Sequence, residues 1–172
     1  MFSRTTLSLG DVIRPGQDGP LDVSQIKRLN FSRLSLDDKV EIKERGRPLP
    51  DLFFSQEDVA HGKKFKRNFH RKYYDDNDWL CGCSDRNAVF CFPCMLVGSN
   101  GNNRCKLIHE GHTNLSSLSE VLRVHGRSKT HIRNDTAFLA LKKKRISEFI
   151  SVMHIEPLLQ HIMKKSEKIC IF

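Results

Sequence analysis

Hydrophobic residues are scattered through residues 1–34 without the spacing of a helix or a strand, and three glycines and two prolines lie among them. Such a composition does not support a stable element. Ser35 is then a helix N-cap candidate, the residues up to Arg45 supply a short helix, and Gly46 with two following prolines ends it. We therefore predict a flexible N-terminal arm over residues 1–45 that holds one candidate helix.

Aromatic residues recur every four positions in the next segment. Ser55 is a second candidate for a helix N-cap, and acidic residues follow it in the first turn. Phe65, Phe69 and Tyr73 then fall on one helical stripe, and lysines and arginines occupy much of the remaining surface. We predict a helix from Ser55 to about Tyr74, whose aromatic stripe packs in the core rather than serving as a platform for stacked bases.

Two short apolar stretches, residues 79–83 and 88–92, flank the polar segment 84–87, a pattern typical of a β-hairpin. Residues 98–103 have the composition of a loop, and residues 107–113 show no regular pattern. A Cys-x-x-Cys knuckle follows directly from the second strand. We therefore expect a small, zinc-stabilised α+β fold in which a short hairpin and its knuckle pack against helices.

Two further helices are predicted downstream. The segment before His125 places its apolar residues on one helical face, and His125 continues that face one turn later. These apolar residues are Leu115, Leu118, Val121 and Leu122. The last helix is predicted to begin at Asn134 or Asp135 and to run to about residue 150, with the basic run 142–145 interrupting its apolar pattern.

Composition and charge narrow the class of partner. The chain has 172 residues, a net charge of +9 and an isoelectric point of about 9.4. This length suits one domain of ordinary size, and the positive charge favours nucleic acid as the leading class of partner. No apolar run approaches the ~20 residues of a membrane-spanning helix, and residues 1–10 lack the apolar segment of a signal peptide. We expect no membrane, no small-molecule substrate and no oxidising compartment.

Cysteine and histidine spacing carries the strongest chemical signal. Cys91 and Cys94 form a knuckle whose two thiolates can converge on one metal ion. His125 and His131 can reach the same ion from the last turns of a helix. Two thiolates and two imidazoles suit tetrahedral zinc, and four protein ligands leave no position for a catalytic water. We therefore predict a closed structural Zn²⁺ site rather than a metalloenzyme.

Alternatives remain open for these cysteines. A disulfide framework would suit six cysteines in a short chain but needs an oxidising environment. A thioredoxin-like redox pair would need a clear helix after Cys94. Cys81 and Cys83 are either further zinc ligands or residues that support the hairpin. Cys105 and Cys170 are interpreted as spare thiols.

Basic residues surround the histidine pair. Phosphate contacts by such side chains would position the protein on DNA without reading its sequence. The predicted DNA-contacting residues are Arg123, Arg127, Lys129, Arg133, Lys142, Lys143, Lys144 and Arg145. A solvated helix face is the alternative for all of them, and a nuclear import signal is a further use of the run 142–145. Both DNA binding and such a signal predict a nuclear protein.

Five short motifs follow one another along the chain. They are Gly46-Arg-Pro-x-Pro-Asp51, Trp79-Leu-Cys-Gly-Cys83, Phe90-Cys-Phe-Pro-Cys94, Gly111-x-x-Asn-Leu115 and His125-x-x-Ser-x-x-His131. This order resembles the TTF-type zinc finger of hAT-superfamily transposases and of host proteins derived from them, including zinc finger MYM-type relatives. The resemblance covers about residues 46–150. It implies a zinc-dependent DNA-binding module with both knuckle cysteines and both histidines at its ligand positions.

The chain also departs from that family pattern. Leu107 stands where a tryptophan is usual, His112 where an aromatic residue is usual, and Gly126 where a glutamate is common. These differences suggest relaxed packing around the knuckle.

The resemblance divides the chain into the arm over residues 1–45, the zinc finger module over residues 46–151 and a helical tail over residues 152–172. Full-length relatives continue into an RNase H-like catalytic region, which does not fit before Phe172. The resemblance thus implies a truncated tail and no transposase chemistry. No catalytic triad, phosphate-binding glycine loop or paired-carboxylate pattern stands out, so we expect no enzymatic activity.

A protein-interaction or dimerisation module without direct DNA binding is the alternative function. Zinc would then be purely structural, and the apolar faces of the last helices would self-associate. The residues that would form this contact are Leu139, Ile146, Phe149, Ile150, Ile155, Leu158 and Leu159. Self-association without DNA binding would favour this alternative, whereas DNA affinity that falls steeply with salt would favour the first function.

Overall fold

The computed structural model describes residues 7–60, 62–98, 105–141 and 146. In these residues the helices are α1 (Val23–Arg28), α2 (Leu36–Arg45), α3 (Lys72–Asp76), α4 (Phe92–Val97), α5 (Lys106–His109), α6 (Leu118–Gly126) and α7 (Lys129–Leu139). Strand β1 (Ser55–Ala60) pairs with β2 (Lys63–Asn68), and β3 (Leu80–Cys83) pairs with β4 (Ala88–Cys91), both in antiparallel register. The α+β class predicted from the sequence is confirmed.

The N-terminal segment packs into the core, which corrects the prediction of a flexible arm for residues 7–45. Leu21 and Val23 are buried and belong to the same apolar cluster as Phe90 of β4. Their spacing has no helical or strand period because they reach the core partly from turns, and periodicity cannot detect such burial. The core therefore does not divide at residue 45, and the predicted tail over residues 152–172 lies outside the described residues.

Helix α2 agrees with the predicted short helix. The hydroxyl oxygen of its N-cap residue Ser35 accepts the N–H of Asp38 at 3.0 Å, and Gly46 ends the helix with a φ of +81°. Glycine adopts this left-handed conformation without the steric cost that a Cβ would add. Both helix signals were local, and the sequence therefore predicted them.

Strands β1 and β2 form a hairpin where the sequence predicted one long helix. Ser55 lies opposite Asn68 in their register, and Gly62 takes a φ of +73° in the turn. A left-handed turn residue suits a tight hairpin and interrupts a helix. Phe65 lies on the exposed strand β2, whereas Phe69 follows that strand and packs against the core. The predicted helix and its single aromatic stripe are therefore wrong.

The hairpin of β3 and β4 agrees with the predicted one and is buried along both strands. Successive side chains of a strand point to opposite faces. Accordingly, Cys81, Cys83 and Phe90 join the apolar cluster that holds the N-terminal segment. Leu80 and Cys91 join a second cluster, which holds residues of α5 and α6. This hairpin is thus the central element of the fold, and the end of β4 lies between helices.

The helices after β4 surround the knuckle. Helix α4 packs against α7 and α5, and α5 lies in a segment for which no regular element was expected. Helix α7 begins at Lys129, five residues before the predicted start at Asn134, because the hydroxyl of Ser128 caps it and accepts the N–H of His131 at 3.2 Å. Within the described ranges, no helix has the length and apolarity needed to cross a membrane.

Candidate metal centre

The Cys-x-x-Cys knuckle lies where β4 passes into α4. Cys91 is the last residue of β4 and the N-cap residue of α4, and Cys94 lies in the first turn of that helix. Pro93 lies at the start of α4, where a missing N–H costs no intrahelical hydrogen bond. Both cysteines are fully buried. The strand-to-helix turn therefore brings two sulfur atoms together inside the protein.

The two histidines come from two helices. His125 lies in the last turn of α6, and His131 lies in the first turn of α7. Only Arg127 and Ser128 separate the helices, and the centroids of the imidazole rings are 4.8 Å apart. This arrangement corrects the prediction that both histidines extend from the last turns of a single helix.

The knuckle and the histidines form one buried group. The four ligand atoms all lie within 4.8 Å of one another. His131 Nδ1 lies 3.4 Å from Cys91 Sγ and 3.6 Å from Cys94 Sγ. Zn–S bonds of about 2.3 Å and Zn–N bonds of about 2.0 Å at a tetrahedral angle separate sulfur and nitrogen ligands by about 3.5 Å. The donor set, its spacing and its burial therefore fit a zinc ion.

The two ring nitrogens of His125 have different surroundings. Nε2 is buried and has no hydrogen-bond partner among the described residues, whereas Nδ1 lies 3.5 Å from Cys105 Sγ. Metal-binding histidines use one nitrogen for the metal and hold the ring in place with the other. Nε2 is therefore the atom available for zinc. Cys105 is not the spare thiol that the sequence suggested, and Cys170 lies outside the described residues.

Three residues that the sequence analysis missed support the ligands. Asn134 Nδ2 donates to Cys94 Sγ at 3.5 Å, and Gly98 N–H donates to the Cys94 carbonyl at 2.9 Å. Trp79 packs against both imidazole rings, with centroid distances of 5.2 and 4.8 Å. Asn134 follows His131 by three residues, so helical spacing within α7 was a usable signal for it.

Two curated proteins are similar to part of this chain. Zinc finger MYM-type protein 5 of Mus musculus is 30% identical over 91 residues, which cover 47% of this chain and 13% of that protein. Zinc finger MYM-type protein 5 of Macaca fascicularis is 29% identical over 86 residues, with coverage of 47% and 13%. No protein-family model matches the chain, and no solved structure matches it.

Partial similarity to zinc finger proteins and the buried four-ligand group lead to the same conclusion. The chain is a zinc-binding module. It spans 13% of the length of the curated relatives that it matches. The similarity therefore describes a module and not the whole activity of those relatives.

The electrostatics of the zinc-binding group distinguish its two thiols. Burial raises the pKa of Cys91. The hydrogen bond from Cys91, followed by those from the histidines and Asn134, lowers the pKa of Cys94 to about 3 against the effect of burial. Burial lowers the pKa of His125, but the neighbouring thiols of Cys105 and Cys94 outweigh this effect and raise that pKa to about 9. Because zinc ligands must be deprotonated, zinc binding displaces protons from Cys91 and His125.

Cys81 and Cys83 lie outside the zinc-binding group. Both are buried in the apolar cluster that contains Phe90. Burial raises the pKa of Cys81, which keeps this thiol neutral. The structure therefore gives both cysteines a packing role in the hairpin, which is one of the alternatives that the sequence left open.

Other uses of the cysteines receive no support in the described part of the chain. No disulfide bond joins the five described cysteines. Helix α4 does follow Cys91 directly, so the absence of a helix is not a valid argument against a redox pair. The two histidines beside the thiols, together with Asn134 on Cys94, instead favour a metal site.

The structure describes four of the eight basic residues that were predicted to contact DNA. Arg127, Lys129 and Arg133 are exposed, and no ion pair involves them within the described residues. Lys129 and Arg133 lie one turn apart on α7. Arg123 instead forms a two-point ion pair with Glu120, at 2.8 and 2.5 Å. The other four basic residues, 142–145, lie outside the described residues.

Proposed function

We propose that this chain is a zinc-stabilised DNA-binding module. The observation that carries the proposal is the position of the exposed cations relative to the ligands. Arg127 lies in the short connection between α6 and α7, and Lys129 lies in the first turn of α7. His125 and His131 lie at the two ends of this connection, so a metal bound by both would hold the cations in a defined arrangement.

The two sides of helix α7 support this proposal. His131, Asn134 and Phe138 form its buried face, at spacings of three and four residues. Lys129 and Arg133 lie on its exposed side. The helix can therefore hold the metal centre on one side and present positive charge on the other. Such cations bind phosphates, which position a protein on DNA without specifying the sequence.

Zinc would act here as a structural ion. Cys91, Cys94, His125 and His131 would hold it, and the coordination bonds would tie the knuckle to the junction of α6 and α7. Structural zinc contributes roughly 10–16 kcal/mol to zinc-finger peptides, which is folding free energy. The four protein ligands leave no open position for a substrate or a catalytic water, so we propose no enzymatic activity.

The ancestry and cellular location form part of the proposal. The motif order supports a TTF-type finger derived from a hAT transposase, and the partial similarity to zinc finger MYM-type protein 5 supports the zinc-finger character of the module. A nuclear location follows from DNA as the partner.

The test is a DNA-binding titration with the full chain loaded with zinc. A labelled duplex would be titrated by fluorescence anisotropy between about 50 and 200 mM salt. The variant Arg127→Gln/Lys129→Gln/Arg133→Gln is expected to bind more weakly and to flatten the salt dependence by about 0.9 per lost contact. An equal loss of charge at Arg28→Gln/Arg86→Gln/Lys106→Gln is the control. A zinc-loaded parent that binds no duplex at the lowest salt would refute the proposal.

A protein-interaction module is the second candidate, and exposed apolar side chains favour it. Val124, Ile132, Leu139 and Ile146 expose 55, 54, 60 and 53% of their surface. The rest of the predicted contact, from Phe149 to Leu159, lies outside the described residues. Light scattering across a concentration series tests this function. Self-association that Leu139→Asp weakens, in a protein that binds no DNA, would support it over the first.

A further inference from the structure

The hairpin of β1 and β2, hereafter the ribbon, belongs to neither the zinc centre nor the apolar clusters. Every residue of β2 is exposed, and neither described cluster contains a residue from these two strands. Each strand has six residues, so the ribbon is roughly 20 Å long. An isolated two-stranded hairpin is at best marginally stable in water. The ribbon therefore depends on its base, and its two open faces are available to a partner.

The base of the ribbon is fixed to the rest of the protein. Gln56 Oε1 accepts the N–H of Leu115 at 2.9 Å. Phe69 N–H donates to the Phe54 carbonyl at 3.1 Å, and the two phenyl rings stack with centroids 5.2 Å apart. Leu115 lies just before α6, the helix that carries His125. The ribbon is thus attached to the segment that leads into the zinc centre.

Positive charge dominates the ribbon towards its turn. Strand β2 carries four cations, and β1 carries two acids. Arg67 is neutralised by an ion pair with Asp58 at 2.8 Å, whereas Lys66 lies opposite Glu57 but forms no ion pair with it within the described residues. Lys63 and Lys64, however, lie opposite Ala60 and Val59. The end of the ribbon therefore presents cations without facing acids, which suits a polyanion.

Exposed aromatic rings accompany this charge. Phe53 at the base is 89% exposed and lines one cleft with Lys66 and Asn68. Phe65 on β2 is 37% exposed, and the guanidinium of Arg67 lies 4.8 Å from its ring centroid. Phenyl rings beside cations are the combination that contacts bases or sugars while the cations bind phosphates. An acidic protein surface would match the charge but would give the rings no such flat partners.

We propose that the ribbon is a second DNA-contacting element, in which Lys63, Lys64 and Lys66 bind phosphates and Phe53 packs against the exposed part of a nucleotide. This inference rests on the proposed function, because it assigns the ribbon to the same duplex as α7. A two-stranded ribbon fits the major groove of B-DNA, which is about 12 Å wide. The two-stranded form, the length and the charge of the ribbon match that groove.

The experiment compares three variants of the full, zinc-loaded chain by anisotropy on a labelled duplex of about 20 bp. Lys63→Thr/Lys64→Thr/Lys66→Thr removes the positive charge and introduces threonine, which favours strands. Lys63→Arg/Lys64→Arg/Lys66→Arg keeps the charge. Arg28→Gln/Arg86→Gln/Lys106→Gln removes equal charge elsewhere. Zinc content is measured in each, because a change confined to the ribbon leaves the metal centre loaded.

The threonine variant is expected to weaken duplex binding by about tenfold or more, with a salt slope shallower by roughly 2 to 3. The arginine variant should retain the parent affinity, and the remote variant should change it by less than about threefold. Phe53→Leu, which keeps apolar area and removes the ring, should weaken binding without altering the slope.

Different failures have different meanings. A parent that binds no DNA refutes the proposed function, and this inference falls with it. If the parent binds DNA and the threonine variant binds it with the same affinity and salt slope, only the role of the ribbon is overturned. Poly-glutamate is used as a competitor for the labelled duplex. If it displaces the duplex as effectively as unlabelled duplex does, the role of the ribbon is also overturned, because the ribbon would then bind any polyanion. Tighter binding to single strands than to duplex would refute the groove placement.

Discussion

Replacing Asn134 by leucine tests whether the zinc centre depends on residues beyond its four ligands. Asn134 is 1% exposed, and its amide donates to Cys94 Sγ at 3.5 Å. Leucine has a similar volume, so the variant removes the hydrogen bond while leaving little cavity. Losing a supporting hydrogen bond of a ligand costs about 10- to 100-fold in metal affinity. This range corresponds to about 1.4–2.8 kcal/mol, in line with about 1.5–3 kcal/mol for a hydrogen bond to a charged group.

The assay is a competitive zinc titration against a chromophoric chelator, with helicity followed by circular dichroism. Thr136→Leu is the matched control, because Thr136 lies on the exposed side of the same helix and receives the same new residue. The Asn134 variant should bind zinc about 10- to 100-fold more weakly than the parent, and the control should match the parent. An Asn134 variant within about threefold of the parent, or equal losses in both variants, would refute the assigned role of the amide.

Three further predictions concern the same centre. Between pH 7 and about 8.5, the apparent zinc affinity should rise about 100-fold per pH unit. The pKa of Cys91 is raised and that of His125 is raised to about 9, so both residues release a proton when zinc binds. A zinc affinity that does not change with pH in the same titration would contradict these shifts. Gly98→Ala should weaken zinc binding, since the new Cβ would lie 2.4 Å from Asn134 Nδ2, whereas Gly19→Ala, with open space around it, should not. Cys81→Ala should keep one zinc ion per chain and lower the free energy of unfolding by about 1–2 kcal/mol for the lost packing, whereas Cys91→Ala should lose the metal in elemental analysis; loss of zinc from the Cys81 variant would return that thiol to the ligand set.

Local signals explain what could be predicted from the sequence. The four-residue turn that brings Cys91 and Cys94 together requires only a strand end and a proline-containing helix start, both readable within a few positions. The β3–β4 hairpin, the cap at Ser35 and the apolar face that ends in His125 are equally local. The ligand set was therefore predictable, because metal-ligand spacing is itself a short-range constraint.

Aperiodic and coincidental patterns explain the errors. The four-residue spacing of Phe65, Phe69 and Tyr73 suggested a helix, but the segment forms strands β1 and β2. Spacing alone does not distinguish one face of a helix from a strand residue followed by residues beyond the strand. The left-handed glycine at position 62 was the available evidence against the helix. The start of α7 was misplaced because the sequence analysis did not recognise Ser128 as the N-cap of this helix.

The sequence by itself determined the identity of the zinc ligands and the two short elements that carry the cysteines. Only the tertiary structure placed Cys105 on His125 and Asn134 on Cys94, and only it buried the N-terminal segment against β3 and β4. These contacts join residues 20 or more positions apart, so no local pattern shows which side chains meet. Their partners are selected by packing and by the need to pair buried polar groups, which act only once the chain has folded.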